Sequence, residues 1–368
     1  MHGTGRPLGR FTSEVPEDAQ AAARRVAEVL SSAHRVLVLG HVGADGDVAG
    51  SSLGLAQALR ELGKEVTVYN ELPYPESFDW LPGAADVVHT LPKTARFDAT
   101  VVVDAADPAR CGRHFPPKAH RGTFVWIDHH RIAEPPGDVS YIDLTAAAVG
   151  EQIAEVLAAM GHPISADTAK CLYASLMSDT GGFRYGNTSA RAFTLAGRLV
   201  AAGVDPWEMT QHLYESQAEE RVRLMARALT TLWRSSTGKV GLVVVTERDL
   251  ELTGATAEHA HGIVNHVRGI RGVEIAVLLR EVEDGTEVVL RSRGSVSAVA
   301  IAERLGASGH KNAARFRLPL DLDEARVLVS RAADDVAEGA RPPRKKRTPS
   351  RRRARATPPG FQAASHSR

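Results

Sequence analysis

One short loop holds a histidine and two carboxylates: His41-Val42-Gly43-Ala44-Asp45-Gly46-Asp47. Neutral imidazole and carboxylate both ligate metal ions. The same residues would also serve as a polar turn with an aspartate helix cap. Three further clusters change the balance. Asp104 directly follows Thr100-Val101-Val102-Val103, where by itself it would read as a cap or loop residue. Asp128-His129-His130 directly follows Phe124-Val125-Trp126-Ile127. Ser178-Asp179-Thr180-Gly181 ends a helical pattern. Asp-Thr-Gly also occurs in aspartic proteases, but those need a second such motif and a mostly β setting, and this chain offers neither. Together the clusters supply His41, Asp45, Asp47, Asp104, His129 and Asp179, with no thiolate. Such oxygen-rich donors with some nitrogen suit Mn2+ better than a closed structural zinc site, and Mg2+ fits many of the same atoms. A carboxylate shared by two ions would set them about 3.5–4 Å apart, a geometry suited to in-line attack at phosphorus.

The elements that must position these groups are legible as a pattern. Val36 to Leu39, Val66 to Tyr69, Thr100 to Val103 and Phe124 to Ile127 are short apolar runs suited to buried strands. Helical segments alternate with them, from Pro16 to Leu30 and from about 49 to 62. The pattern predicts an α/β fold with a doubly wound, mostly parallel sheet, whose strand ends gather ligands. The stretch from about 147 to 232 reads as nearly all helix. After Ser235-Ser236-Thr237-Gly238 the pattern restarts, with strands over 240–245, 273–279 and 288–290 and helices near 257–268 and 297–305. This predicts a flexible leader at 1–14, a catalytic domain at 15–234, a smaller α/β domain at 239–338 and a basic disordered tail at 339–368.

Composition excludes several classes. The 368 residues are 43% hydrophobic and 24% charged with a net charge of +1, ordinary values for a soluble globular chain. Cys111 and Cys171 lie far apart, which argues against a disulfide framework or a Cys-rich zinc site. No signal-peptide core and no spanning apolar run is present, so the expectation is a cytoplasmic protein without a membrane partner. The tail carries Arg344-Lys345-Lys346-Arg347 and Arg351-Arg352-Arg353 among prolines and serines, which predicts at most weak contact with nucleic acid.

With these motifs in order, the chain resembles the DHH family of phosphoesterases, named for the triplet seen here as Asp128-His129-His130. The resemblance runs from about residue 20 to about 335. It rests on the His41–Asp47 loop followed by Ala49-Gly50-Ser51, on Asp104, and on Ser178 to Tyr185 with Asn187-Thr188-Ser189 beyond. The C-terminal part resembles the DHH-associated domain through Arg291-Ser292 and Gly309-His310-Lys311 with Ala313-Ala314. It departs from that pattern in the loop Gly306-Ala307-Ser308-Gly309 and in Arg315, which stands where the family has a glycine.

The resemblance implies that His41 and Asp45 hold one cation, that Asp47, His129 and Asp179 hold the other, and that Asp104 bridges them. It implies His130 beside the substrate phosphate as a donor, and Asp128 holding His129 in its metal-binding tautomer. Arg291, Ser292, Gly309 and His310 would bind the remainder of a nucleotide. The branch resembled is the bifunctional oligoribonuclease and PAP phosphatase group. The expected substrates are therefore short: a linear di-adenylate such as pApA, cyclic di-AMP, a short oligoribonucleotide or PAP. A homodimer is an open expectation. Two alternatives stand beside this reading. One is a manganese inorganic pyrophosphatase, which shares the catalytic motifs but carries a Ser-Arg-Lys-Lys-type motif in its second domain. The other is a nucleotide- or nucleic-acid-binding protein that does not hydrolyse.

Overall fold

Residues 15–132, 134–293, 296–309 and 312–339 are described by a computed structural model. The leader at 1–14, His310, Lys311 and all of the tail beyond Gly339 lie outside the described residues. Two compact units divide the chain, with the division between Ser216 and Gln217.

The first unit opens with α1 (Glu17–Ser32), β1 (Arg35–Leu39), α2 (Gly46–Glu61), β2 (Glu65–Tyr69), β3 (Ala99–Val103), β4 (Thr123–Asp128) and β5 (Val139–Ile142). It continues with α3 (Val149–Ala159), α4 (Ala166–Asp179), α5 (Ala190–Ala201) and α6 (Pro206–Thr210). Its five strands pair in the order β2-β1-β3-β4-β5, all parallel. The continuous apolar runs explain this, because both faces of the sheet are covered. Val36, Val38, Val101, Val103, Val125 and Ile127 pack into the core shared with the helices. Leu37, Leu39, Val102, Phe124 and Trp126 pack on the other face with Leu91 and Cys111, from the long connections after β2 and β3. Each fully buried aliphatic side chain contributes about 1.5–3 kcal/mol, so β3, buried throughout, anchors the sheet.

Strand order reverses between β1 and β3, and the loops that leave their carboxyl ends diverge to make a crevice. The His41–Asp47 loop and Asp104 leave those two strand ends. Helix α2 must lie close against α4 to close the crevice. Gly50 permits it: a Cβ there would sit 2.4 Å from the Cys171 carbonyl oxygen.

The second unit holds α7 (Glu219–Thr230), β6 (Trp233–Arg234), β7 (Val240–Val245), α8 (Glu247–Thr253), α9 (Ile263–Arg268), β8 (Ile275–Val282), β9 (Gly285–Ser292), α10 (Ala298–Arg304), β10 (Ala313–Leu318) and α11 (Leu322–Ala337). Its sheet runs β10-β9-β8-β7-β6; β7 and β8 are parallel and the other neighbours antiparallel. Helix α7 lies upstream of the 235–238 segment, yet its Leu224 and Ala228 pack with Val243 and Val245 of β7. No helix among the described residues is long and apolar enough to cross a membrane.

Candidate metal centre

The ligand candidates arrive on five separate elements. Asp45 caps α2 and accepts the amides of Asp47 and Val48 at 3.0 and 3.2 Å, which ties the loop after β1 to the helix start. Asp47, in the first turn of α2, is fully buried. Its Oδ1 accepts from Ser175 Oγ on α4 at 2.6 Å, and its Oδ2 accepts from the Val149 N–H at the start of α3 at 2.8 Å. Asp104 follows β3 with a left-handed φ of +49°. Aspartate tolerates that region better than most residues, and the turn folds its carboxylate back over the strand end. Asp179 closes α4, where the helix dipole disfavours an anion.

These groups converge on His129. Its Nε2 lies 3.4 Å from Asp179 Oδ2, 3.5 Å from Asp104 Oδ1 and 3.8 Å from Asp47 Oδ2. Its Nδ1 lies 3.2 Å from the Ala146 carbonyl oxygen. A carbonyl only accepts, so Nδ1 carries the proton and Nε2 turns a lone pair toward the carboxylates. On the other side, His41 Nε2 lies 3.9 Å from Asp45 Oδ2. Two donor groups with no residue in common result, His41 with Asp45 and Asp104, and Asp47 with His129 and Asp179. A third grouping, Asp104 with His129 and His130, is also compact enough to hold an ion.

Electrostatics show what the arrangement lacks. Burial, and then the neighbouring Asp104 carboxylate, push Asp47 up to about 7. Burial raises Asp104 as well, and burial with the charges of Asp47, Asp45 and Asp104 raises Asp179 well above the usual carboxylate range. Asp104 Oδ1 is buried and accepts no aligned hydrogen bond. Like charges at this spacing cannot all ionise without a counter-charge. Oxygen donors with two imidazoles and no thiolate fit hard or borderline divalent cations, so the residues present fit the metal ions that the motifs imply.

His130 is 38% exposed at its side chain, and its Nδ1 lies 2.8 Å from Asp128 Oδ1 and 3.2 Å from Asp104 Oδ1. Those two carboxylates raise its imidazole to about 10. Asp128 also accepts the His130 and Ala106 amides, both at 2.8 Å. Burial opposes its ionisation, but these bonds outweigh burial and hold it at about 2. One expectation is corrected here: the His129 tautomer is set by Ala146, and Asp128 serves His130 instead. The cause is strand alternation. Phe124 and Trp126 point to one face of β4, Val125 and Ile127 to the other, and Asp128 follows the parity of Trp126 while His129 does not.

Three side chains outside the ligand set support the site, and of these only Asn187 belongs to a motif singled out in the sequence. Ser175 holds Asp47. Asn187 Nδ2 donates to both the Ala147 and the Asp179 carbonyls at 3.0 Å, joining the segment before α3 to the ligand-bearing end of α4. Arg191 holds Asp143 and Glu151, on either side of Ala146 and Val149. In the second unit, Arg291 and Ser292 end β9, with Arg291 opposite Ala313 and the Ser292 amide donating to the Asn312 carbonyl at 2.9 Å. Gly309 lies against β10, since a Cβ there would sit 2.5 Å from Ala314 Cβ. These three expected substrate residues therefore gather at the β9–β10 end, and the fourth, His310, lies outside the described residues.

Comparison with known proteins agrees with this geometry. Residues 35–176 match the model of the DHH family, N-terminal domain, and residues 242–338 match the DHHA1 domain. The bifunctional oligoribonuclease and PAP phosphatase NrnA of Thermus thermophilus is 35% identical over 312 residues, 83% of this chain and 92% of that one. The chain belongs to the DHH family. The cyclic-di-AMP phosphodiesterase GdpP of Geobacillus thermodenitrificans is 25% identical over 88% of this chain and 51% of its own length. An exopolyphosphatase-related protein from Bacteroides fragilis, 24% identical, shares the fold, with a TM-score of 0.82 over 87% of this chain and 98% of that one. The DHH triplet thus lies at the end of β4, with its first histidine turned to the carboxylates and its second held by the aspartate.

Proposed function

We propose that this DHH protein is a two-cation phosphodiesterase, using Mn2+, that hydrolyses short nucleotide phosphodiesters (pApA, cyclic di-AMP, short oligoribonucleotides) to mononucleotides, and PAP to AMP. The observation that carries the reading is the unmatched carboxylate cluster around His129. Asp47, Asp104 and Asp179 are crowded beyond what the chain's own cations balance. His41 and Asp45 would hold one ion, Asp47, His129 and Asp179 the other, with Asp104 shared. Bound there, the ions would acidify a water and neutralise charge on the phosphoryl oxygens.

The chain's own groups supply the rest. Ser175 and the Val149 N–H hold Asp47, and Ala146 keeps the His129 proton on Nδ1. His130, charged through Asp104 and Asp128, is placed to donate to a phosphate oxygen. Arg291, Ser292, Gly309 and His310 are proposed to grip the nucleotide beyond the scissile bond. The names of the relatives, an oligoribonuclease and PAP phosphatase and a cyclic-di-AMP phosphodiesterase, support a short adenylate substrate.

The test is a substrate panel with Mn2+, followed by chromatography of the products: pApA, cyclic di-AMP, adenylate oligomers of increasing length, PAP and pyrophosphate. Expected are AMP as end product and rates that fall as the oligomer lengthens. Activity should vanish with a chelator and return best with Mn2+. Full turnover by metal-stripped enzyme, a preference for long RNA, or faster cleavage of pyrophosphate than of any nucleotide would overturn the proposal.

A further inference from the structure

Two backbone groups near the junction of β5 and α3 serve the metal centre: the Ala146 carbonyl, in the connecting segment, which receives His129 Nδ1–H, and the N–H of Val149, the first residue of α3, which donates to Asp47. A carbonyl and an amide have no special chemistry. Their value lies in being fixed, and the residues from Asp143 to Ala148 have no strand or helix to fix them.

One side chain reaches both ends of this segment. Arg191, in the first turn of α5, places one terminal guanidinium nitrogen 2.6 Å from Asp143 Oδ2 and its Nε 2.9 Å from Glu151 Oε2. The side chains are 8% (Arg191), 4% (Asp143) and 1% (Glu151) exposed. Each carboxylate turns its other oxygen into the segment. Asp143 Oδ1 accepts the Thr145 amide at 2.9 Å and its hydroxyl at 2.6 Å, while Glu151 Oε1 accepts the Ala147 amide at 3.3 Å. A buried cation between two carboxylates is costly to desolvate and is weak evidence for stability. It nevertheless engages two carboxylates at once, Asp143 through a hydrogen bond and Glu151 through an ion-pair contact without hydrogen-bond alignment. Asp143, Glu151 and Arg191 all lie outside the ligand groups.

We infer that Arg191 is a positioning residue for the metal centre: by clamping Asp143 and Glu151 it sets Ala146 O and Val149 N–H, and through them the tautomer of His129 and the orientation of Asp47. The inference rests on the two-cation reading for its consequence, but its geometry can be read without any metal. A purely architectural Arg191, holding α5 against α3, would affect melting and leave both ligands unchanged.

The test uses the full chain with Arg191→Met, Arg191→Lys and Asp143→Asn. In metal-free protein, at a pH where the ring is neutral, long-range proton–nitrogen NMR of His129 should show the Nδ1–H form in wild type and a mixture of tautomers in Arg191→Met. Calorimetric titration with Mn2+ should then give a dissociation constant raised about 10- to 100-fold, the usual cost of losing an outer partner of a ligand. Arg191→Lys, which keeps the charge and loses the fork, should fall between. A cooperatively folded Arg191→Met with the wild-type tautomer and Mn2+ affinity within about twofold would overturn the inference. Should Arg191→Met fail to fold, Arg191→Lys and Asp143→Asn decide by the same two readouts. Failure of the two-cation reading looks different: wild-type protein that binds no divalent cation, whatever the His129 tautomer.

Discussion

Two buried acidic sites, one in each unit, treat charge in opposite ways. In the second, Glu287 lies between Arg280 and Arg315, with Oε2 accepting from Arg280 at 2.8 and 3.0 Å and Oε1 accepting from Arg315 Nε at 2.8 Å. Burial would raise that carboxyl, but the two guanidinium groups outweigh burial and hold it below its usual range. In the first unit, Asp47, Asp104 and Asp179 face one another and His129, and all three are pushed up. A carboxylate matched within the chain is architecture. Carboxylates left unmatched at the carboxyl ends of parallel strands are a demand for counter-charge from outside, which a cation would supply.

The largest test of this contrast removes one carboxylate from each region. Asp104→Asn should lower turnover on the order of 10³-fold, since several kcal/mol of charge stabilisation rest on that oxygen pair. Glu287→Gln should leave the Mn2+ affinity unchanged. Rates near wild type for Asp104→Asn would show that the assigned centre is wrong. A smaller effect reverses the order. Glu287→Gln breaks a buried ion pair and should cost about 3 kcal/mol in urea unfolding, whereas Asp104→Asn should stabilise the metal-free protein by relieving repulsion. If both variants destabilised equally, the contrast between matched and unmatched charge would fail.

The gentlest test is pH. In the unfolded chain these carboxyls lose their protons near pH 4, while folded Asp47 holds its proton to about 7. Between those values the native state binds more protons, so stability falls as pH rises. The metal-free protein should therefore melt at lower temperature at pH 8 than at pH 5, and the stabilisation by Mn2+ should grow over the same interval. A melting temperature that rose with pH without metal would contradict the raised carboxyls.

Much of the site was legible in the sequence because its ligands follow apolar runs. Asp104 after Val101-Val102-Val103 and Asp128 after Val125-Trp126-Ile127 stand at the ends of strands buried on both faces, where a carboxylate has no structural reason to be. Less legible were two edge strands, β5 and β10. β5 is Val139-Ser140-Tyr141-Ile142, four residues just after Pro135-Pro136-Gly137-Asp138. β10 carries Arg315 and Arg317, charges that an edge tolerates but that break the apolar pattern. Least legible were the partners of the ligands. Ala146 O and Val149 N–H belong to the backbone, which every residue has, so no residue type announces them. Arg191 reaches Asp143 across 48 positions of sequence, a contact that only the packing of α5 beside α3 and α4 creates.

The central claim is that two cations share Asp104. It is tested most directly by anomalous diffraction at the manganese edge from crystals grown with Mn2+. Two peaks are expected, one at His41 and Asp45, the other at Asp47, His129 and Asp179, with Asp104 touching both. A single peak among Asp104, His129 and His130, the third compact donor group, would contradict the account.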